Sequence, residues 1–253
     1  CPAQWLFSTD LHLPRTDDVS EAQQRGLWAH QWLEHAHRTG ACRPDDPSRV
    51  DPGPLDPHQF AIVLPYLRHH VATCPLTTEG AELLAADENL HGFDATAGVV
   101  CVVKPDLVYR IGDRVIVREF KTALQAALGG ADDVFARSIQ VPLLISMLAA
   151  GVTDAFGGGT ASVEVEVLTP EGAELFSWDV DDAAMLADAR ERVGAAVRAW
   201  HMDEEWRSSP GPQCTWCPVR EWCPDAHLAP NASVAPVAED AFDAAPDDEP
   251  PPF

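Results

Sequence analysis

Lysine is scarce in this sequence of 253 residues, and positive charge is low overall. Lys104 and Lys121 are the only lysines among 17 basic side chains, whereas Asp and Glu together number 40. The formal net charge of −23 excludes a broadly basic surface of the kind that binds nucleic acid. Because phosphate contacts normally come from Lys and Arg, any nucleic-acid site must be a local groove where metal ions offset the repulsion.

Long apolar runs and targeting signals are also missing. No run reaches the ~18 apolar residues of a membrane span, so none is predicted. The sequence opens on Cys1, with neither an initiating methionine nor a signal-type start, which is typical of a domain taken from a longer protein. Without a secretion signal, seven cysteines favour metal or cluster ligation in a reducing cytoplasm over a disulfide framework.

The length suits one domain with insertions, and 46% hydrophobic residues allow a sizeable core. We assign this domain to residues 1–228. Residues 229–253 are rich in Ala, Pro and Asp and contain acidic but no basic side chains. That composition predicts a disordered tail.

Helical signals lie on both sides of a strand-rich centre. Ser20 and Gln23 form a capping box, and Gly40 suits the end of the helix that follows. Further helices are predicted over 58–73, bent at Pro65, and over 131–150 and 181–206. Strands are predicted over 79–86, 98–103, 106–111, 114–120, 161–168 and 174–179. This order indicates an α/β or α+β domain with a sheet core.

One predicted hairpin contains side chains suited to catalysis. If Gly112 and Asp113 form its two-residue turn, Asp106 lies opposite Glu119 in the neighbouring strand. Carboxylates so placed have Cβ atoms ~5 Å apart and destabilise a sheet unless a cation lies between them. Lys121 follows Glu119 by two residues and therefore shares its face.

This group of side chains fits metal-assisted hydrolysis. Mg²⁺ binds one or two carboxylates together with water and phosphate oxygens, and a lysine can orient or deprotonate the attacking water. Both faces of the hairpin are otherwise largely apolar, as in a central hairpin covered by helices. The alternative is that these three residues are ordinary solvated side chains, because the pattern is short.

The C-terminal cysteines form a more specific pattern. Cys214, Cys217 and Cys223 have C-x2-C-x5-C spacing, one ligand short of a tetrahedral or cubane site. The candidates for the fourth ligand are Cys1, Cys42, Cys74 and Cys101, of which Cys101 lies in an apolar strand that suits the core. A zinc site and unligated core thiols are the alternatives to an iron–sulfur cluster.

In order along the chain, these motifs resemble the RecB-type iron–sulfur branch of the PD-(D/E)XK nucleases. That branch includes nuclease domains of bacterial recombination helicase–nucleases and RecB-like exonucleases of CRISPR adaptation. The matching motifs are Cys1-Pro2, Gly26-x3-His30, Pro105-Asp106, Glu119-x-Lys121, Gln140 and the C-x2-C-x5-C group. The resemblance implies an α/β fold of the restriction-endonuclease type, with a mixed central sheet flanked by helices.

The resemblance also implies roles for individual residues. His30, Asp106, Glu119 and the Phe120 carbonyl would bind Mg²⁺ or Mn²⁺. Lys121 would be the catalytic lysine, and Gln140 would contact DNA or brace the site. A 4Fe–4S cluster joining the N-terminal and C-terminal segments of the domain would be held by Cys1, Cys214, Cys217 and Cys223. Leu144 departs from the family, which usually has Tyr there, so an accessory role of that helix is in doubt.

These observations predict a metal-dependent deoxyribonuclease. Its expected substrate is single-stranded DNA or DNA ends, in repair or recombination, and its expected partner is a helicase domain or subunit. Three alternatives stay open at this point. They are a CRISPR-adaptation exonuclease, a non-catalytic module that binds DNA or a partner, and a zinc protein of unrelated function.

Overall fold

A computed structural model of the protein describes residues 1–15, 19–42, 50–95, 97–125, 130–211, 214 and 217–228. The predicted tail over 229–253 lies outside the described residues, as does part of the proline-rich loop after Cys42. Within the described ranges, no helix combines the length and the apolar character needed to cross a membrane.

The described residues form helices at both ends and strands in the middle. The helices are α1 (Pro2–Trp5), α2 (Glu21–Thr39), α3 (Pro57–Thr73), α4 (Gly130–Arg137), α5 (Gln140–Ala149) and α6 (Ala183–His201). The strands are β1 (Ala81–Ala85), β2 (Leu90–Asp94), β3 (Val99–Val103), β4 (Leu107–Ile111), β5 (Arg114–Thr122), β6 (Thr160–Leu168) and β7 (Ala173–Asp179). A π-helical turn covers Leu6–Asp10, and short 3-10 helices cover Pro75–Thr77, Val152–Phe156, Arg220–Trp222 and Ala226–Leu228.

Five strands form a central mixed sheet in the order β1-β4-β5-β6-β7. β5 and β6 are parallel, and the other neighbouring pairs are antiparallel. Parallel neighbours need a crossover connection, and here it contains α4 and α5. β2 and β3 form a separate two-stranded sheet. The predicted mixed central sheet flanked by helices is therefore present.

The predicted hairpin register is confirmed. Leu107 pairs with Arg118, and Ile111 pairs with Arg114, across a turn at Gly112 and Asp113. Gly112 has a φ of +62°, a value that side chains other than glycine adopt rarely. Continued by one residue, this register puts position 106 opposite position 119.

Both faces of β5 are buried, as predicted for a central strand. Ile116 and Phe120 point into the core formed with α2 and α3. Val115 and Val117 point into the core formed with α4, α5 and α6. Because each fully buried aliphatic or aromatic side chain contributes ~1.5–3 kcal/mol, helices on both sides anchor this strand firmly.

Several predicted boundaries are wrong, for local reasons. The single helix predicted over 131–150 is two helices, α4 and α5. Pro142 lies in the first turn of α5, and a continuous helix would bring its ring against the carbonyl of residue 138. The last predicted helix ends at His201 rather than 206, where the Asp203 carboxylate accepts the Glu205 and Trp206 amides in a turn. β2 was not predicted at all, because it is short and interrupted by Gly92.

The helix ends were predicted more accurately. The capping box of Ser20 and Gln23 is present at the start of α2, and Gly40 ends that helix in the left-handed conformation with a φ of +79°. α3 contains Pro65 and begins one residue earlier than predicted, at Pro57. Asp56 caps α3 by accepting the amide protons of the first turn.

A buried ionic network lies on the α2 and α3 side of the sheet. The Arg118 guanidinium donates to Glu164 Oε2 at 2.8 Å, to Glu166 Oε2 at 2.7 Å and to the Tyr109 hydroxyl at 3.0 Å. Burial alone would raise the pKa of Glu166, but His70 and Arg118 outweigh it and lower that pKa. The network therefore holds ionised groups inside the domain, each with a partner.

Replacing Arg118 tests how much the core depends on this network. Arg118→Met should lower the free energy of unfolding by about 3–5 kcal/mol, because it removes the guanidinium that pairs with buried Glu166 and partly buried Glu164. Urea denaturation would measure the loss. Arg114→Met is the matched control on the same strand, since its ion pair with Asp179 is exposed and should contribute about 0–1 kcal/mol. Equal losses in the two variants would contradict this account.

Candidate active site

The predicted acidic pair and lysine lie at one end of the β4–β5 hairpin. Asp106 immediately precedes β4, and Glu119 and Lys121 belong to the part of β5 beside it. The strand alternation turns both β5 side chains toward the α5 side of the sheet. The Glu119 side chain is 3% exposed, whereas that of Lys121 is 23% exposed, so the lysine lies nearer the solvent.

Asp106 connects helix α2 to strand β5. Its Oδ1 lies 2.8 Å from His30 Nδ1, and its Oδ2 accepts the Phe120 amide proton at 2.8 Å. His30 lies in the middle of α2, on a helix that also packs against the sheet. Tertiary packing therefore brings together His30 and Asp106, which are 76 residues apart in the sequence.

Burial alone would raise the pKa of Asp106. The charge of His30 and its hydrogen bond, the charge of Lys121 and the Phe120 amide together outweigh burial and lower that pKa. Asp106 is consequently a carboxylate under ordinary conditions, which is the form that binds a metal ion.

Gln140 connects Glu119 to Lys121. As the first residue of α5, it donates from Nε2 to Glu119 Oε2 at 2.6 Å and accepts from Lys121 Nζ at 2.9 Å. Lys121 Nζ itself lies 3.9 Å from Glu119 Oε2. The amide therefore fixes the ammonium group beside the carboxylate, so Gln140 braces the site in this structure.

The donor set suits a hard divalent cation. Two carboxylates, a backbone carbonyl and an imidazole provide the oxygen-rich coordination that Mg²⁺ and Mn²⁺ accept. In this structure, these ligand atoms do not form a close group. Among the described residues, only His37, His70 and Cys74 bring three such ligand atoms within 4.8 Å of one another.

The N-terminal segment and residues 208–226 meet at a cavity rich in cysteine. Cys1, Cys214, Cys217 and Cys223 all line it, with apolar neighbours that include Phe7. The Ser209 amide lies 3.4 Å from Cys1 Sγ, and the Gly211 amide lies 3.4 Å from Cys214 Sγ. Four cysteine sulfurs, two of them with amide donors beside them, fit the coordination of an iron–sulfur cluster.

Aromatic packing explains why Cys1 lies there. Trp5 stacks on Trp206 with ring centroids 4.8 Å apart, and it meets Trp200 edge-on at 5.9 Å. These contacts attach the N-terminal segment to the end of α6, just before the C-terminal cysteines.

The other candidates for the fourth cluster ligand lie elsewhere. Cys101 is buried in the core beneath α5, as expected. Cys42 and Cys74 are buried in the core between α2, α3 and the sheet. No disulfide joins any of the seven cysteines, all of which lie in the described part of the chain.

One group of side chains was not recognised from the sequence. His37 and His70 meet beneath the sheet with Nε2 atoms 3.0 Å apart, and Cys74 lies beside them. A signal was available, because each histidine stands shortly before a cysteine, as His37-x4-Cys42 and His70-x3-Cys74.

Comparison with known proteins gives a family match over most of the chain. The model of the PD-(D/E)XK nuclease superfamily matches residues 1–224, a range that contains every predicted site residue. Matching solved structures include that of SSO0001, with 12% identity, a TM-score of 0.34 and coverage of 88% of this chain and 94% of that chain. At this identity and TM-score, the likeness supports no conclusion about this chain. No curated protein matches the sequence. On the family match, the chain belongs to the PD-(D/E)XK nuclease superfamily.

Proposed function

We propose that this protein is a divalent-metal-dependent deoxyribonuclease that acts on single-stranded DNA or DNA ends. Members of the superfamily are generally nucleases that hydrolyse phosphodiester bonds with divalent metals. The observation that carries the proposal is the connected set at the hairpin end, in which Asp106 meets His30, and Gln140 joins Glu119 to Lys121.

The residues of the site would have different roles in the reaction. Asp106, Glu119, His30 and the Phe120 carbonyl would hold Mg²⁺ or Mn²⁺. The bound metal would lower the pKa of a water molecule and stabilise charge on the scissile phosphate. Burial of the carboxylates makes their charges act strongly on anything bound beside them.

Lys121 would act on the attacking water or on the phosphate. An ammonium group has three N–H donors, so its bond to Gln140 leaves donors for a substrate oxygen. Gln140 would be a positioning residue, because it holds the lysine beside Glu119 and keeps the long side chain from rotating away. The catalytic part of the proposal therefore depends on Lys121 more than on Gln140.

The choice of substrate and setting rests on the sequence resemblance to the RecB-type branch. That resemblance supports DNA repair or recombination, with a helicase domain or subunit as the partner. An exonuclease of CRISPR adaptation is the alternative within the same branch. The acidic net charge of −23 favours one further candidate, a non-catalytic module that keeps the fold to bind DNA or a partner.

A second part of the proposal is a 4Fe–4S cluster held by Cys1, Cys214, Cys217 and Cys223. The shared cavity and the two amide groups near sulfur support it. Joining residue 1 to the C-terminal cysteines would remove roughly 5 kcal/mol of chain entropy from the unfolded state. A reducing compartment such as the cytoplasm suits both the cluster and the thiols.

Replacing Lys121 tests the catalytic role. Lys121→Met should lower the rate of single-stranded DNA cleavage with Mn²⁺ at least ~100-fold, because proton transfer by a positioned side chain contributes about 10²–10⁴-fold. The other lysine provides the control: Lys104, two residues before Asp106, forms a partly exposed ion pair with Asp87, so Lys104→Met should keep most of the cleavage rate. Cleavage by Lys121→Met at the wild-type rate would contradict the assignment. A wild-type protein that binds DNA without cutting it would support the non-catalytic module.

Replacing Asp106 tests the metal ligands separately from catalysis. Asp106→Asn should weaken Mn²⁺ binding at least ~10-fold, since even outer-shell partners of a metal typically contribute about 10–100-fold in affinity. Calorimetric titration with Mn²⁺ would measure the change. Asp113→Asn removes an exposed carboxylate from the hairpin turn and should leave the affinity as it is. Unchanged affinity in Asp106→Asn would place the ion elsewhere.

Metal analysis after anaerobic purification tests the cluster. The wild-type protein should be brown, with about four irons per chain and the broad visible absorption of a 4Fe–4S cluster. Cys1→Ser should lower the iron content, while Cys101→Ser, a change in the core, should retain it. A colourless protein whose four cysteine sulfurs hold zinc would replace the cluster with the zinc alternative.

A further inference from the structure

A second set of ligating side chains lies in the core between α2, α3 and the sheet. His37 and His70 are 2% and 0% exposed, and their Nε2 atoms are 3.0 Å apart. Cys74 completes a group whose three ligand atoms all lie within 4.8 Å of one another. The Cys42 thiol, also buried, makes a side-chain hydrogen bond with Cys74.

Two helices contribute to this group in the same way. His37 lies in the last turn of α2, and Cys42 follows that helix. His70 lies in the last turn of α3, and Cys74 ends that helix. Spacings of three and four residues between ligands are typical of chelating pairs in zinc proteins. The carboxyl ends of helices also carry partial negative charge, which favours a cation.

We propose that His37, Cys42, His70 and Cys74 form a buried structural zinc site, separate from the nuclease cation and from the cysteine-rich cavity. Zinc binds two cysteines and two histidines tetrahedrally, with Zn–N distances of about 2.0–2.1 Å that put the two nitrogens ~3.4 Å apart. The observed 3.0 Å between the nitrogens needs an adjustment of only a few tenths of an ångström, whereas Cys42, which is outside the group within 4.8 Å, would have to move closer. Two thiolates would balance the charge of Zn²⁺, so the buried site as a whole is neutral.

The surroundings of His70 match those of a metal-bound histidine. Its Nδ1 lies 3.2 Å from Glu166 Oε1, and Arg118 holds the other oxygen of that carboxylate at 2.7 Å. Metal-bound histidines usually donate their second ring N–H to a carboxylate in this way, which directs the lone pair of the first nitrogen at the metal. Glu166 therefore has a role as an orienting group, and Arg118 neutralises its charge.

A direct hydrogen bond between the two imidazoles is the metal-free alternative. It occupies one N–H donor and one lone pair, and His37 Nδ1 has no hydrogen-bond partner among the described residues in either arrangement. In that metal-free arrangement the two thiols hydrogen-bond with each other, and Cys74 also with His70, whereas zinc would bind both as thiolates. The donor set argues for zinc over Mg²⁺ or Mn²⁺, because thiolate and imidazole are the softer ligands.

The proposed site lies directly behind the active-site strand. The ring of Phe120 stacks on His37 at 5.5 Å and meets His70 edge-on at 5.0 Å. The amide of the same residue donates to Asp106. Zinc at this position would hold β5 from behind and so stabilise the geometry of Asp106, although the zinc proposal itself does not require nuclease activity.

The test is the coordination shell of zinc in the full chain, purified anaerobically with its other cofactors. We expect about one tightly held zinc per chain, and zinc X-ray absorption that shows two nitrogens and two sulfurs around it. Absence of stoichiometric zinc would overturn the proposal. A shell of four sulfurs would also overturn it, because the zinc would then occupy the cysteine-rich cavity. A disulfide between Cys42 and Cys74, found by mass spectrometry, would likewise overturn the proposal.

Variants identify the ligands independently. Cys74→Ser should weaken zinc binding at least ~10-fold in competition with a chromogenic chelator, whereas Cys101→Ser, which alters a buried cysteine of the other core, should not. Cobalt in place of zinc should show tetrahedral d–d bands and a thiolate charge-transfer band that weakens in Cys42→Ser. Wild-type affinity in Cys74→Ser, or a cobalt spectrum indifferent to both cysteines, would refute the site. If a variant fails to fold, the zinc X-ray absorption of the wild-type protein is sufficient to decide the test.

Discussion

The double-sided burial of β5 is the constraint on which the rest of the structure depends. The strand pairs with β4 on one side and with β6 on the other, and helices cover both of its faces. Alternation then assigns each residue a side: Glu119 and Lys121 face the α5 side, whereas Arg118 and Phe120 face the α2 side. A shift of one residue would exchange these sets, so the same register that packs the core also positions the candidate catalytic groups.

Charged groups inside this domain are held by specific partners. Asp106 is held by His30 and the Phe120 amide, and Glu166 by Arg118 and His70. Unpaired buried charges cost several kcal/mol each, so these networks exist only because tertiary packing supplies each partner. The site and the core are therefore coupled through Phe120, whose amide serves one network and whose ring packs on the histidines of the other.

Patterns of short range predicted much of the fold and part of the site. The Gly112-Asp113 turn predicted the hairpin register, and Ser20, Gln23 and Gly40 predicted the limits of α2. Other predictions were wrong because local features of the sequence changed the secondary structure. Pro142 divides a continuous apolar pattern into α4 and α5, and the short β2 lacks a clear alternating pattern. The order of the sheet strands and the partners of Arg118 depend on contacts distant in sequence, which periodicity does not encode.

The sequence by itself determined the α/β class, the hairpin with its acidic pair and lysine, and the superfamily, because local chemistry and spacing are enough for these. Only the tertiary structure decided which distant side chains meet. It brought His30 to Asp106, Cys1 to the C-terminal cysteines, and His37 to His70. Each of these contacts joins segments that are far apart in the sequence. Sequence separation does not say how close two segments lie in space, which is decided only when the helices pack on the sheet.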